Sequence, residues 1–123
     1  MAFSSFLTNR KTITQLAKEL GVSREHVQRY YLAIAVQTSD FSKDYPQLGV
    51  TTFTRVGLSE YQQWVLHRIR ALVAAGWTKT HFFEDDDDIT LIRDEVDDYL
   101  SKRKYEEEKQ SQPLQQIVKL IES

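Results

Sequence analysis

The residues whose types and spacing could do chemistry in this chain are Arg24, Glu25, Gln28 and Arg29, with Ser23 and His26 beside them. On a helix beginning at Ser23 these side chains form one polar side, its N-terminal end nearest whatever it faces. Arginine can bond bidentately to a guanine edge and glutamine to an adenine edge, each worth about 1–3 kcal/mol of discrimination. Tyr31 is placed to reach a phosphate, while Tyr30 is expected to pack inside.

Chemistry of other kinds is poorly supplied. The chain has no cysteine, which excludes a disulfide framework, a cysteine-ligated zinc and a thiol nucleophile. The three histidines, His26, His67 and His81, are scattered without ligand spacing. There is no glycine-rich phosphate loop, no nucleophile arrangement around serine or histidine, and no carboxylate pair in an apolar setting. The acidic run Glu84 to Asp88 lacks the alternating ligands and the glycine of an EF-hand loop. Asp88 is instead expected to cap a helix whose N-terminus favours the neighbouring carboxylates. A protein that is not an enzyme, with no metal and no cofactor, is the expectation.

Two helices must position the polar side. Thr12 and Gln15 form a capping box, and Ile13, Leu16, Ala17 and Leu20 share one face at helical spacing. Gly21 ends this helix, because glycine takes the left-handed conformation without steric cost. Ser23 is a good N-cap for the second helix, which carries Val27, Tyr30, Tyr31 and Ile34. A small residue at the crossing, a glycine at the turn and an apolar lock are what a helix-turn-helix corner needs. Ala17, Gly21 and Val27 supply them, and Leu16, Leu20, Val22 and Tyr30 fill the remaining buried positions.

Past the corner the pattern changes. Turn residues and the run Thr51-Thr52-Phe53-Thr54 predict a β-hairpin between Gln37 and Gly57, with Val36 to Thr38 as its first arm. Lys43 and Arg55 would lie on this hairpin and touch a nucleic-acid backbone. Ser59 and Gln62 form a second capping box, for a helix stopping at Gly76 with Tyr61, Trp64, Val65, Leu66, Ile69, Leu72 and Val73 on its apolar stripe. Trp64 and Trp77 read as core. A short turn or helix covers Thr78 to Phe83.

A long helix is then expected from Ile89 to about Gln110, and Pro113 opens a last one. Ile89, Ile92, Val96 and Leu100 have the spacing of a short coiled-coil seam, and Leu114, Ile117 and Ile121 continue the apolar pattern. These residues are expected to pair two copies into a homodimer. The chain thus divides into a DNA-binding unit over residues 1–83 and a dimerisation region over 84–123.

At 123 residues, 41% of them apolar and 28% charged, the chain is long enough for a real core and ordinary for a soluble protein. Its net charge of −2 conceals an asymmetry. Residues 1–83 hold 10 Lys/Arg against 5 Asp/Glu, whereas residues 84–123 hold 6 against 13. A basic front suits a phosphate backbone that would repel the acidic rear. That rear could instead bind a basic protein such as a polymerase or a recombinase. No run approaches the roughly 18 apolar residues of a membrane span, and no export signal opens the chain. A cytoplasmic, nucleoid-associated location is expected.

With these residues in place, the chain resembles the MerR family of winged-helix regulators. The run Ile69-Arg70-Ala71-Leu72-Val73-Ala74-Ala75-Gly76-Trp77-Thr78 is similar to that family's I-x-x-L-x-x-x-G-[FM]-[ST], and Gly49-Val50-Thr51-Thr52-Phe53 to its G-Y-R-x-Y. The recognition-helix run T-[LI]-R-[YF]-[YW]-E corresponds to His26-Val27-Gln28-Arg29-Tyr30-Tyr31, where Gln28 replaces the family's arginine. In the wing, Thr51 and Phe53 stand where the family has arginine and tyrosine. The resemblance implies a mainly α fold with a small β-hairpin wing, of the divergent kind carried by mobile elements. It further implies a dimeric, sequence-specific DNA-binding repressor without a small-molecule sensor domain. The alternatives are a recombination directionality or architectural factor of a mobile element, and a protein-interaction adaptor with a degenerate helix-turn-helix.

Overall fold

The structure, a computed structural model, describes residues 10–44, 57–86 and 89–110. Helix α1, Ile13–Leu20, starts where expected: the Thr12 hydroxyl accepts from Gln15 N (3.2 Å) and Gln15 Oε1 accepts from Thr12 N (2.9 Å). Helix α2 is composite. An α-helical turn, Arg24–His26, leads into a wider turn, Val27–Tyr31, closed by Leu32 N donating to the Val27 carbonyl; Leu32–Ala35 is α-helical again. Helix α3, Glu60–Ala74, opens on the Ser59–Gln62 capping box. A short α4, Lys79–Phe82, is followed by strands β1, Phe83–Asp86, and β2, Ile89–Ile92. Helix α5, Asp94–Tyr99, and helix α6, residues 102–110, complete the described chain. The protein is mainly helical with one small antiparallel hairpin among the described residues. No helix among them is long and apolar enough to cross a membrane.

The hairpin is not where the sequence pattern put one. Val36 to Thr38, the expected first arm, is a turn that closes α2: Val36 N donates to Leu32 O, and both the amide and the hydroxyl of Thr38 donate to Ala35 O. A single 3-10 turn, Phe41–Lys43, follows and buries Phe41. The rest of the expected wing, with Thr51, Phe53 and Arg55, lies outside the described residues. The observed strands pair Phe83 with Ile92 and Glu84 with Leu91, and the second of them opens the segment read from sequence as a long helix.

That long helix from Ile89 is therefore corrected to a strand and two helices. Ile-Thr-Leu-Ile is rich in β-branched residues, which favour the pleated surface once a partner strand is present. Period-2 alternation follows, with Phe83 inward and Glu84 outward, Ile92 half-buried and Leu91 exposed. Glu84 to Asp86 of the acidic run are strand residues, and no helix begins at Ile89 for Asp88 to cap; α5 starts at Asp94, with Asp94, Glu95 and Asp97 against its positive end. At Leu100 the helix breaks, and Ser101 Oγ accepts from Lys104 N to begin α6.

One hydrophobic cluster runs through all of this. It joins Ile13, Leu16 and Val27 of the first two helices to Tyr61, Leu66 and Ile69 of α3 and to Phe82, Val96 and Leu100. Val96 and Leu100 are 2% and 0% exposed within a single chain, so they form no surface seam for a second copy. Leu114, Ile117 and Ile121 fall outside the described residues, as does the Ile89 side chain. Polar contacts reinforce the join. The Tyr61 hydroxyl donates to Leu100 O (2.6 Å), Ser39 donates twice to the Asp97 carboxylate, and Lys102 Nζ donates to Asp44 (2.6 Å).

Replacing Leu100 with alanine is expected to cost about 2–5 kcal/mol of stability, because a fully enclosed side chain leaves a cavity. Urea unfolding at several protein concentrations checks this. The loss should be the same at every concentration, whereas a residue of a dimer seam would give a loss that depends on it.

Candidate nucleic-acid interface

The corner between α1 and α2 is built as the residue types demand. Ala17 and Val27 are buried against each other's helices, and Val22 N reaches back to Ala17 O (3.0 Å). Gly21 has φ 73°, and a Cβ there would meet nothing within 4 Å. Glycine is needed at this turn for its backbone conformation and not for space. Gly57 shows the opposite requirement. Its Cβ would lie 2.8 Å from the Lys11 carbonyl, where the chain pairs Lys11 with Leu58 just ahead of α1.

Polar residues of α2 come out on its open side. Ser23 Oγ caps the helix by accepting from His26 N (3.1 Å). Arg24, Glu25, His26 and Arg29 are exposed, and Gln28 is half-buried. Glu25 and Arg29 pair across one turn at 3.1 Å, an exposed contact that orients the guanidinium more than it stabilises the fold. Among the described residues no carboxylate pairs with Arg24. Lys43 is exposed on the 3-10 turn, 3.4 Å from Asp40, and so is not on a hairpin.

Tyr30 and Tyr31 exchange their expected places. Tyr31 is 1% exposed in the core, where desolvation pushes its phenol pKa up, so it cannot reach a phosphate. Tyr30 is half-buried and stacks on the His26 ring at 5.4 Å. The wider turn explains the exchange. An i→i+5 turn rotates each residue by less than the roughly 100° of an α-helix, which brings Tyr31 towards the Val27 face and carries Tyr30 away from it.

A clamp that the sequence did not signal fixes α1 to α3. Glu19 accepts from Lys11 Nζ (2.5 Å) and lies 3.2 Å from His67 Nε2. Nearby, Arg70 Nε donates to Leu20 O (3.4 Å) at the end of α1. His67 and Arg70 stand far from Glu19 and Leu20 in sequence, so no local pattern could reveal the join to α3. His81, also without a sequence-stated role, accepts from Thr78 N and caps the start of α4. Among the described residues no three His, Cys, Asp or Glu side chains are grouped to hold a metal.

The Lys11 ammonium, through its hydrogen bond first, holds the Glu19 carboxyl below its ordinary value of 4.5. A depressed carboxyl stabilises the fold above its ordinary value and loses that contribution as pH falls through the depressed one. Glu19→Gln is therefore expected to be less stable than the parent at pH 7, with the gap closing below about pH 4.5. Thermal unfolding of both proteins over a pH series checks this; a gap that persists in acid would contradict it.

No family model, curated protein or solved structure matches the chain.

Proposed function

We propose that this protein is a sequence-specific DNA-binding regulator of transcription, acting as a repressor through a winged helix-turn-helix. The observation that carries the reading is α2: its inner face is locked by Val27 and Tyr31, while Arg24, Glu25 and Arg29 stand clear at its N-terminal end. Twelve residues of helix span about 18 Å, and a helix of that girth fits a major groove about 12 Å wide. The excess of basic residues in the first two thirds of the chain suits a unit that meets phosphate.

In this reading Arg24 and Arg29 bond to guanine edges. Glu25 holds the Arg29 guanidinium in position or accepts from a cytosine amino group. Gln28 sits deeper and contributes to a neighbouring adenine only at the groove floor. Lys43 and Arg55 touch the backbone beside the groove. Two copies on half-sites about one helical turn apart would multiply their affinities, through a contact that does not use Val96 or Leu100.

Selection from a pool of random duplexes across a salt series tests the proposal, with the parent protein compared with Arg24→Ala and Arg29→Ala. A shared motif should emerge, affinity should fall steeply with salt, and each variant should lose about 1–3 kcal/mol at one position of the motif. A motif found at attachment or transposon ends would assign the same surface to recombination. Absence of enrichment together with salt-independent affinity would overturn the DNA reading and favour a protein-interaction adaptor.

A further inference from the structure

A cleft of about 340 Å³ lies away from the polar side of α2, between the end of α1, the outer side of α3 and helix α6. Its volume is at the low end of the range for small-molecule sites, ~300–1,000 Å³. Glu19, Glu60 and Glu108 bring three carboxylates to it from three different helices, and Trp64 and Tyr105 supply aromatic walls. The two rings meet edge to face with centroids 5.4 Å apart.

The cleft already handles cations. The Lys109 ammonium lies 3.3 Å from Glu60 Oε2 and 5.7 Å from the centre of the Tyr105 ring. The Arg68 guanidinium packs 4.2 Å from the centre of the Trp64 ring and pairs with Glu108. These are two independent cases of positive charge held between an aromatic ring and a carboxylate, at the walls of one cavity. The two differ in how firmly they are held. The Arg68 side chain is largely covered, whereas that of Lys109 is 63% exposed and enters from the open side. Exposed pairs of that kind are worth little and exchange readily.

We propose that this cleft binds a small organic cation, an aliphatic amine or guanidine, which displaces Lys109 from Glu60 and Tyr105. Three features fit that class of ligand. Each of the three lining carboxylates already holds a cation, Glu19 that of Lys11, Glu108 that of Arg68 and Glu60 that of the exposed Lys109. Aromatic faces attract cations by roughly 0.5–2 kcal/mol, the larger value applying where water is excluded. An anion would meet the Glu60 carboxylate that Lys109 vacates, and a neutral apolar molecule that displaced Lys109 would leave that carboxylate without its partner. The site is separate from the α2 surface, and the inference stands whether or not that surface binds DNA.

The test uses agmatine, which carries a guanidinium and an ammonium, titrated into the full chain at constant ionic strength. NMR of the labelled protein follows the Trp64 indole and the amides of Glu60 and His67. Saturable shifts confined to these groups are expected with agmatine and not with the same concentration of sodium chloride. Lys109→Ala, which vacates the site, should tighten binding about two- to fivefold. Glu60→Gln, which removes a charge-assisted acceptor, should weaken it about tenfold. Both positions are well exposed, and a helical circular dichroism spectrum matching the parent's establishes that each variant is folded. No saturable shift up to about 10 mM, a response shared with sodium chloride, or shifts indifferent to both substitutions would overturn the proposal.

Discussion

Burial of α3 is the constraint on which the rest of the structure depends. Tyr61, Val65, Leu66 and Ile69 are sealed from solvent, and they can be sealed only if elements from both ends of the chain pack on one 15-residue helix. α1 and α2 cover part of it, and α5 with the start of α6 covers another. Tyr61 shows why the arrangement is tight. Its ring is in the core and burial drives its phenol pKa far upward, so its hydroxyl stays protonated and must donate; the Leu100 carbonyl is its acceptor. An unpaired hydroxyl at that depth would cost about 1–3 kcal/mol.

From this constraint come the two surfaces of interest. Once Val27 and Tyr31 are committed to the core, the opposite side of α2 is presented from a rigid base, and rigidity is what a reading helix needs. Arg24 and Arg29 then project from a helix that is tied to α1 by Gly21 and to α3 by the shared core. The cleft is a second consequence. The same α3 that fixes α2 turns Glu60, Trp64 and His67 outward, and α6 crosses them closely enough to leave a lined cavity without filling it. Glu19 takes part in both, as a clamp on α1 and as one wall of the cleft.

Features decided by neighbours in sequence were legible before the fold was known. Both capping boxes, the left-handed Gly21 and the Ser23 cap depend on residues within three or four positions of each other, and the structure has all of them. Features decided by distant partners were not. Ile89, Ile92, Val96 and Leu100 fit helical spacing well, yet the first two belong to a strand because Phe83–Asp86 is available to pair with them. Periodicity alone cannot separate a short apolar strand from a helical turn. The Tyr30 and Tyr31 exchange had a subtler origin, a single wide turn that shifts the register of one face without changing the pattern of residues. The cleft was illegible for the same reason as the strand, since Trp64 and Tyr105 are brought together by the tertiary fold.

The central claim is that the exposed N-terminal end of α2 is the surface that meets duplex DNA. NMR of the labelled protein, recorded with and without a short duplex at low salt, tests it most directly. The account predicts that amide shifts concentrate on Ser23 to Arg29, reverse on adding salt, and leave the β1–β2 hairpin unchanged. Shifts that spare α2, or that centre on the hairpin and α5, would contradict it.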